Sequence, residues 1–217
     1  MVIGAAPLHP RAVAAAPAGA LVIAADGGLD HARAAELEPA LLVGDLDSIS
    51  PGGLAWAEAN AEIARHPADK ALTDTELALA AAAARDPRHV VVLAGVPTPL
   101  DRLDHLLAAV GALGGPVTAE TSVEAWFGDQ HVHVIRPGPA RPLRAAPRTT
   151  FSLLALHGPC RGVTVSGARW PLTDFDLDAV AGIGVSNETS AAGAPLSVSV
   201  GDGVLTLIFP GAPGGTT

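Results

Sequence analysis

The chain has 217 residues, 49% hydrophobic and 16% charged, enough for one or two domains with a core that needs no covalent staple. Its 24 glycines and 19 prolines fall short of low-complexity chain, and Cys160, the only cysteine, excludes a disulfide scaffold and a thiol-ligated zinc site. The net charge of −9, from 13 basic and 22 acidic residues, argues against a nucleic-acid or anionic-membrane binder, so a phosphorylated ligand would need a metal or backbone N–H groups.

Short apolar runs at Val2–Ala5, Leu21–Ala25, Leu41–Val43 and Val90–Ala94 lack alternation, as strands buried on both faces do. Between them Leu29–Leu37, Gly53–Asn60, Asp74–Arg85 and Leu103–Leu113 are compatible with helices. The alternation predicts βα units and an open, mostly parallel sheet flanked by helices over residues 1–137. Ser50-Pro51 reads as an N-cap followed by a first-turn proline, and Thr73-Asp74-Thr75-Glu76 as a capping box. The longest Ala/Leu block, Leu77 to Ala84, is far short of the roughly 20 residues that span a bilayer. The start Met1-Val2-Ile3-Gly4 carries no basic leader, so a cytoplasmic protein is expected.

Residues 138–148, rich in Pro, Arg and Ala, read as a linker. Beyond it Phe151–Leu156, Gly162–Ser166, Leu196–Val200 and Val204–Phe209 predict a small antiparallel β domain over residues 149–217. Gly201-Asp202-Gly203 between the last two is a hairpin signal, and the tail Pro210–Thr217 is expected to fray.

Aspartates gather at the predicted strand ends. Asp26 follows the second strand, Asp45 and Asp47 follow the third, Asp74 opens a helix, and Asp104 comes shortly after Val90–Ala94. In an open α/β sheet the carboxyl ends of the strands form the ligand crevice. Asp45 and Asp47, two apart, fall on one face of extended chain and suit a shared hard cation such as Mg²⁺; a capped turn is the plainer account. Asp26-Gly27-Gly28 allows close backbone approach to a ligand at a helix start, or makes a tight turn. Lys70, the only lysine, has two open readings, a cation for phosphate beside Thr73 and Asp74, or a solvated side chain before a helix cap. In Arg102-Leu103-Asp104-His105 the arginine would steady charge on a transferring phosphoryl group, with Asp104 and His105 orienting substrate or moving a proton; a helix N-terminal acid beside a surface histidine is the bland equivalent. His131-Val132-His133 reads as a partly exposed strand rather than a metal pair, and Cys160 as structural.

Taken in order, Ala25-Asp26-Gly27-Gly28, Val43-Gly44-Asp45-Leu46-Asp47-Ser48-Ile49, Lys70-Ala71-Leu72-Thr73-Asp74, Arg102-Leu103-Asp104-His105, Phe151-Ser152-Leu153-Leu154, Gly167-Ala168-Arg169-Trp170-Pro171-Leu172 and Val185-Ser186-Asn187-Glu188 resemble the thiamine pyrophosphokinase family over nearly the whole chain. The resemblance implies an N-terminal α/β catalytic domain, a C-terminal antiparallel β-sandwich domain, and a homodimer with active sites at the subunit interface. It implies transfer of the pyrophosphoryl group of ATP to the thiamine hydroxyl, releasing AMP. On matching positions it makes Asp45, Asp47 and Asp74 magnesium and phosphate residues. Asp26, Gly27, Ser48, Lys70, Thr73, Arg102, Asp104 and His105 become nucleotide, phosphate or substrate contacts, with Ser186 and Asn187 contacting thiamine. The family usually has Phe at Leu46, Asp at Ala71 and Gly-Gly at Leu100-Asp101, and some members have a stacking Trp at Thr206.

Arg102 would then steady the transferring group, and either Asp104 or Asp26 would accept the hydroxyl proton. Three alternatives remain at this level. One is a pyrophosphokinase for another hydroxymethyl heterocycle such as a pterin. Another is a phosphatase using Asp45-Leu46-Asp47-Ser48-Ile49, which nearly matches the haloacid-dehalogenase signature. The last is a nucleotide- or thiamine-binding protein without catalysis.

Overall fold

The computed structural model describes residues 1–4, 6–96 and 102–211. They form two compact units, Met1–Asp129 and Gln130–Thr217. Among the described residues no helix is long and apolar enough to cross a membrane.

The first unit runs Val2–Ile3 (β1), Pro10–Ala14 (α1), Ile23–Ala25 (β2), Gly28–Ala34 (α2), Leu41–Gly44 (β3), Pro51–Asn60 (α3), Glu62–Arg65 (β4), Asp74–Ala83 (α4), His89–Ala94 (β5), Leu103–Leu113 (α5) and Ser122–Phe127 (β6). The strands pair in the order β6-β5-β1-β2-β3-β4, all parallel. This is the sheet that the unalternating apolar runs predict. β1, β2, β3 and all but the first residue of β5 are fully buried, as strands covered on both faces must be. Ile3, Val91 and Leu93 pack with Ala12 of α1 and Ala32 of α2, and Ala24 and Leu42 pack with Leu29 of α2 and Ala57 of α3. The side chains alternating with these, Val2, Ile23 and Leu41, are also buried, and α4 lies across β1, β2 and β3.

The helix starts follow local chemistry. Ser50 Oγ accepts from the Gly53 N–H at 2.9 Å, with Pro51 in the first turn of α3. Thr73 and Glu76 close a reciprocal capping box at the head of α4. The sequence reading misses α1, a five-residue helix started by Pro10, too short to show a period.

The second unit contains Gln130–Ile135 (β7), Arg141–Leu143 (β8), Thr150–Leu154 (β9), Cys160–Ser166 (β10), Leu172–Leu177 (β11), Asn187–Glu188 (β12), Leu196–Ser199 (β13) and Leu205–Phe209 (β14). Two four-stranded antiparallel arrays result, β12-β9-β14-β7 and β11-β10-β13-β8. Their inward residues share one core, with Phe151, Leu153, Leu205 and Leu207 from the first array and Val163, Val165, Leu196 and Val198 from the second. This is a β-sandwich.

One expectation changes here. Gly201-Asp202-Gly203 does not close a hairpin: β13 pairs with β10 and β8, whereas β14 pairs with β7 and β9. The turn passes the chain between the two arrays, at Gly203 with φ +90, where a Cβ would lie 2.5 Å from the Pro159 carbonyl. Local alternation marks two strands and says nothing about which array each joins. Within residues 138–148, β8 pairs with β13, tolerating Pro142 at an array edge. The compact units divide at 129/130, and β7 pairs with the late strand β14.

Thr206 lies in β14 between Val134 and Leu154. It is 1% exposed, and its hydroxyl has no hydrogen-bond partner. Thr206→Val, which replaces that hydroxyl with a methyl group, is expected to raise unfolding stability by about 1–2 kcal/mol. An upward shift of the urea midpoint at constant slope checks this.

Candidate active site

The carboxyl ends of β2 and β3 lie side by side because Ala25 pairs with Val43. Asp26 follows directly, its N–H donating to the Val43 carbonyl at 2.8 Å. It sits in a left-handed conformation, φ +46, the sort of backbone strain that gathers at functional sites. Gly44 ends β3 at φ +151. A Cβ there would come within 3.0 Å of both the Asp26 Cβ and Asp74 Oδ1, so the missing side chain is what lets these two acids approach. Asp45 follows Gly44, and Asp74 is the first residue of α4, where a carboxylate also favours the helix dipole.

Asp26, Asp45 and Asp74 each offer a carboxylate oxygen, and these oxygens lie within 4.8 Å of one another. Lys70 is the cation among them, with Nζ 2.5 Å from Asp45 Oδ2 and 3.1 Å from Asp74 Oδ1. Asp26 is 6% exposed. Its Oδ2 accepts from the Ser48 N–H at 3.3 Å and from the Ser48 hydroxyl in a very short contact. Its Oδ1 is buried with no hydrogen-bond partner, and Asp74 Oδ1 has only the ion-pair contact with Lys70. Burial pushes the Asp26 carboxyl up, aided by the nearby charges of Asp74 and Asp47 and opposed by Ser48. The hydrogen bond from Lys70 holds Asp45 below the ordinary carboxylate value, and the same bond raises the Lys70 ammonium.

The other sequence-predicted residues are placed as follows. Asp47 is exposed, its N–H donating to Asp45 Oδ1 at 3.4 Å and its Oδ1 3.0 Å from Ser48 Oγ. Gly28 packs α2 onto β1, since a Cβ there would lie 2.5 Å from the Ile3 carbonyl, and Gly27 faces the Ser48 carbonyl. Thr73 is engaged in its capping box. Arg102, Asp104 and His105 form a separate exposed cluster. The Arg102 guanidinium grips Asp104 through Nε at 3.1 Å and a terminal nitrogen at 3.0 Å, and also touches His105. Arg102 brings the Asp104 carboxyl down to about 2. Leu100-Asp101 lies outside the described residues.

In the sandwich, Ser186 is exposed at φ +62, its N–H donating to Ser152 Oγ at 3.1 Å. Asn187 is buried and clamps the Trp170 loop, its Oδ1 accepting from the Trp170 N–H and its Nδ2 donating to the Trp170 carbonyl at 2.8 Å. Thr206 is too buried to stack on a ligand. The His131 and His133 rings lie 4.0 Å apart on β7. Sequence reasoning assigned no role to Gly44, although a glycine joining a buried strand to an aspartate was a visible signal.

The family model described as the thiamin pyrophosphokinase catalytic domain matches residues 16–125, and that of the thiamin pyrophosphokinase vitamin B1 binding domain matches residues 133–205. The chain belongs to the thiamin pyrophosphokinase family. It is an enzyme, and it transfers the pyrophosphoryl group of ATP to thiamine; the pterin, phosphatase and non-catalytic readings are not favoured. The fold is similar to that of a thiamine pyrophosphokinase from Bacillus subtilis (TM-score 0.80, 21% identity, 97% of this chain and 98% of that one). It is also similar to one from Geobacillus thermodenitrificans (TM-score 0.77, 22% identity, 98% and 97%) and one from Candida albicans (TM-score 0.76, 13% identity, 95% and 88%). A search among curated sequences gave no significant match.

The raised Asp26 carboxyl makes a stability prediction. Above the ordinary value of 3.8, the folded protein holds this proton more tightly than the unfolded chain does. Folded protein therefore binds more protons in that window, and the contribution of Asp26 to stability falls as pH rises through it. Asp26→Asn keeps an acceptor for Ser48 and removes the buried charge. It should raise the thermal midpoint at neutral pH by about 2–4 °C and flatten that part of the pH dependence, as read by melting curves between pH 4 and 8.

Proposed function

We propose that the pyrophosphoryl transfer runs at the acidic cluster on the strand ends of the α/β unit, and that the three carboxylates converging over Gly44 carry it. The partnerless Asp26 oxygen and the Asp74 oxygen held only by Lys70 are hard donors that fit Mg²⁺, which typically binds one or two carboxylates together with substrate phosphates and water. Asp45 and Asp74 would hold the ion, with Asp47 exposed beside them. The chemistry the ion supplies when bound is neutralisation of triphosphate charge.

The protein's own groups do the rest by position and charge. Arg102, fixed in orientation by its two-pronged grip on Asp104, presents a guanidinium to the transferring group. Asp104, held down to about 2, stays ionised and is a weak proton acceptor. Asp26, raised by burial and oriented by Ser48, is the better-matched acceptor for the thiamine hydroxyl proton. The hydroxyl oxygen bonds to the β-phosphorus, the bond from that phosphorus to the oxygen bridging the α-phosphate breaks, and AMP leaves.

In the sandwich unit we assign Ser186 to thiamine, with Asn187 holding the Trp170 loop in place. We also propose a homodimer with active sites at the subunit interface. The support is a group of exposed apolar side chains near Ser186, with Val180 74% and Ile183 71% exposed; such a patch invites a partner surface. A cytoplasmic location accords with the acidic charge balance and single cysteine.

Asp45→Asn should lower thiamine-dependent AMP release by at least about 100-fold while the circular dichroism spectrum is unchanged. Turnover near wild type would overturn the site. Ile183→Glu should shift the molecular mass from dimer to monomer in light scattering, and a wild-type protein that is monomeric at every concentration would overturn the shared site.

A further inference from the structure

Lys70 ties together two carboxylates that the proposed reaction assigns to a divalent ion. Its side chain is 13% exposed, and its Nζ lies 2.5 Å from Asp45 Oδ2 and 3.1 Å from Asp74 Oδ1. An ammonium and a divalent cation compete for those oxygens. The ion needs ligand oxygens at about 2.0–2.1 Å, and two cations a few ångströms apart repel strongly where water is scarce. Lysine suits such an exchange, because its ammonium is a compact point charge on a flexible four-carbon stem.

We propose that Lys70 is a resident counter-cation. With substrate absent it neutralises Asp45 and Asp74 and so weakens the binding of free divalent ions. When metal-bound ATP arrives, the ammonium swings from the carboxylates to the incoming phosphates. A divalent ion alone would have to strand Lys70 without an anion, whereas the nucleotide supplies one. Metal and nucleotide binding are therefore coupled, each strengthening the other by the same factor. The proposal rests on the reading that Asp45 and Asp74 hold the metal-bound triphosphate, and it adds that the site is gated against the metal alone.

Lys70 is the only lysine, so trace acetylation with acetic anhydride labels two amines, Lys70 and the Met1 N-terminus, and peptide mass spectrometry separates them. In the wild-type protein saturating Mg²⁺ alone should raise Lys70 labelling relative to Met1 several-fold, and Mg²⁺ with a non-hydrolysable ATP analogue should lower it again. Labelling that Mg²⁺ leaves unchanged or lowers overturns the proposal. In parallel, Mn²⁺ affinity without nucleotide is read by electron paramagnetic resonance. Lys70→Met should bind Mn²⁺ roughly tenfold more tightly than wild type, with affinity for the metal-bound ATP analogue reduced, and Lys70→Arg should restore weak Mn²⁺ binding. Equal or weaker Mn²⁺ binding by a folded Lys70→Met overturns the proposal but leaves the site reading standing. Mn²⁺ binding that survives Asp45→Asn overturns the site reading, and this proposal with it. The acetylation experiment uses unmutated protein, so it stands even if Lys70→Met does not fold.

Discussion

Parallel pairing of β2 with β3 sets everything at the site. Ile23 lies opposite Leu41, Ala24 opposite Leu42 and Ala25 opposite Val43, so Asp26 leaves β2 beside Gly44, the last residue of β3, and Asp45 comes one position further on. A shift of one residue would turn Asp26 away from Asp74. Gly44 then decides how near they come, since any side chain there would stand between Asp26 and Asp74. The third carboxylate arrives from elsewhere in the chain, held at the head of α4 by the capping box that stops the helix from starting earlier or later. A backbone register, an absent side chain and a helix cap together bring three carboxylate oxygens within 4.8 Å of one another.

That concentration works against folding. Three carboxylates with oxygens within 4.8 Å of one another, one of them 6% exposed, repel one another and lose hydration. The structure offsets this with one ammonium and one serine, leaves Asp26 Oδ1 without a partner and gives Asp74 Oδ1 only the Lys70 ion pair. Polar atoms left without partners in a native interior call for an explanation, and at a strand-end cluster the natural one is a ligand that completes them. The left-handed backbone of Asp26 belongs to the same pattern, local strain held in place by well-packed strands on either side.

Much of this was legible in the amino-acid sequence. The unalternating runs announce a parallel sheet, Ser50-Pro51 and Thr73–Glu76 announce helix starts, and aspartates after successive strands announce a crevice. The details that escaped are those that depend on a partner. Asp45 and Asp47 read as neighbours on one face of extended chain, but Leu46 between them adopts φ +68; Asp47 ends exposed, and Asp26 from the adjacent strand completes the trio. The two readings of Lys70 could not be separated without knowing that Asp45 and Asp74, 25 and four residues away, close around it. Asn187 carries a polar side chain fit for a ligand, yet its hydrogen bonds hold the Trp170 loop. Gly201-Asp202-Gly203 looked like a hairpin because turn chemistry is local, whereas the choice of array is not.

The route of β14 has its own consequence for how the sandwich is made. This strand comes last among the described residues, yet it lies between β7 and β9 and pairs with both. Until it is synthesised, β7 and β9 have no shared neighbour, and Phe151 and Leu153 have no Leu205 or Leu207 to pack against. A nascent chain emerging from the ribosome therefore carries β7 and β9 with unpaired edges for most of the unit's synthesis. Long-range closure of this kind is slow and prone to association. The α/β unit, whose strands are joined by local crossovers, can form while the sandwich still waits for its final residues.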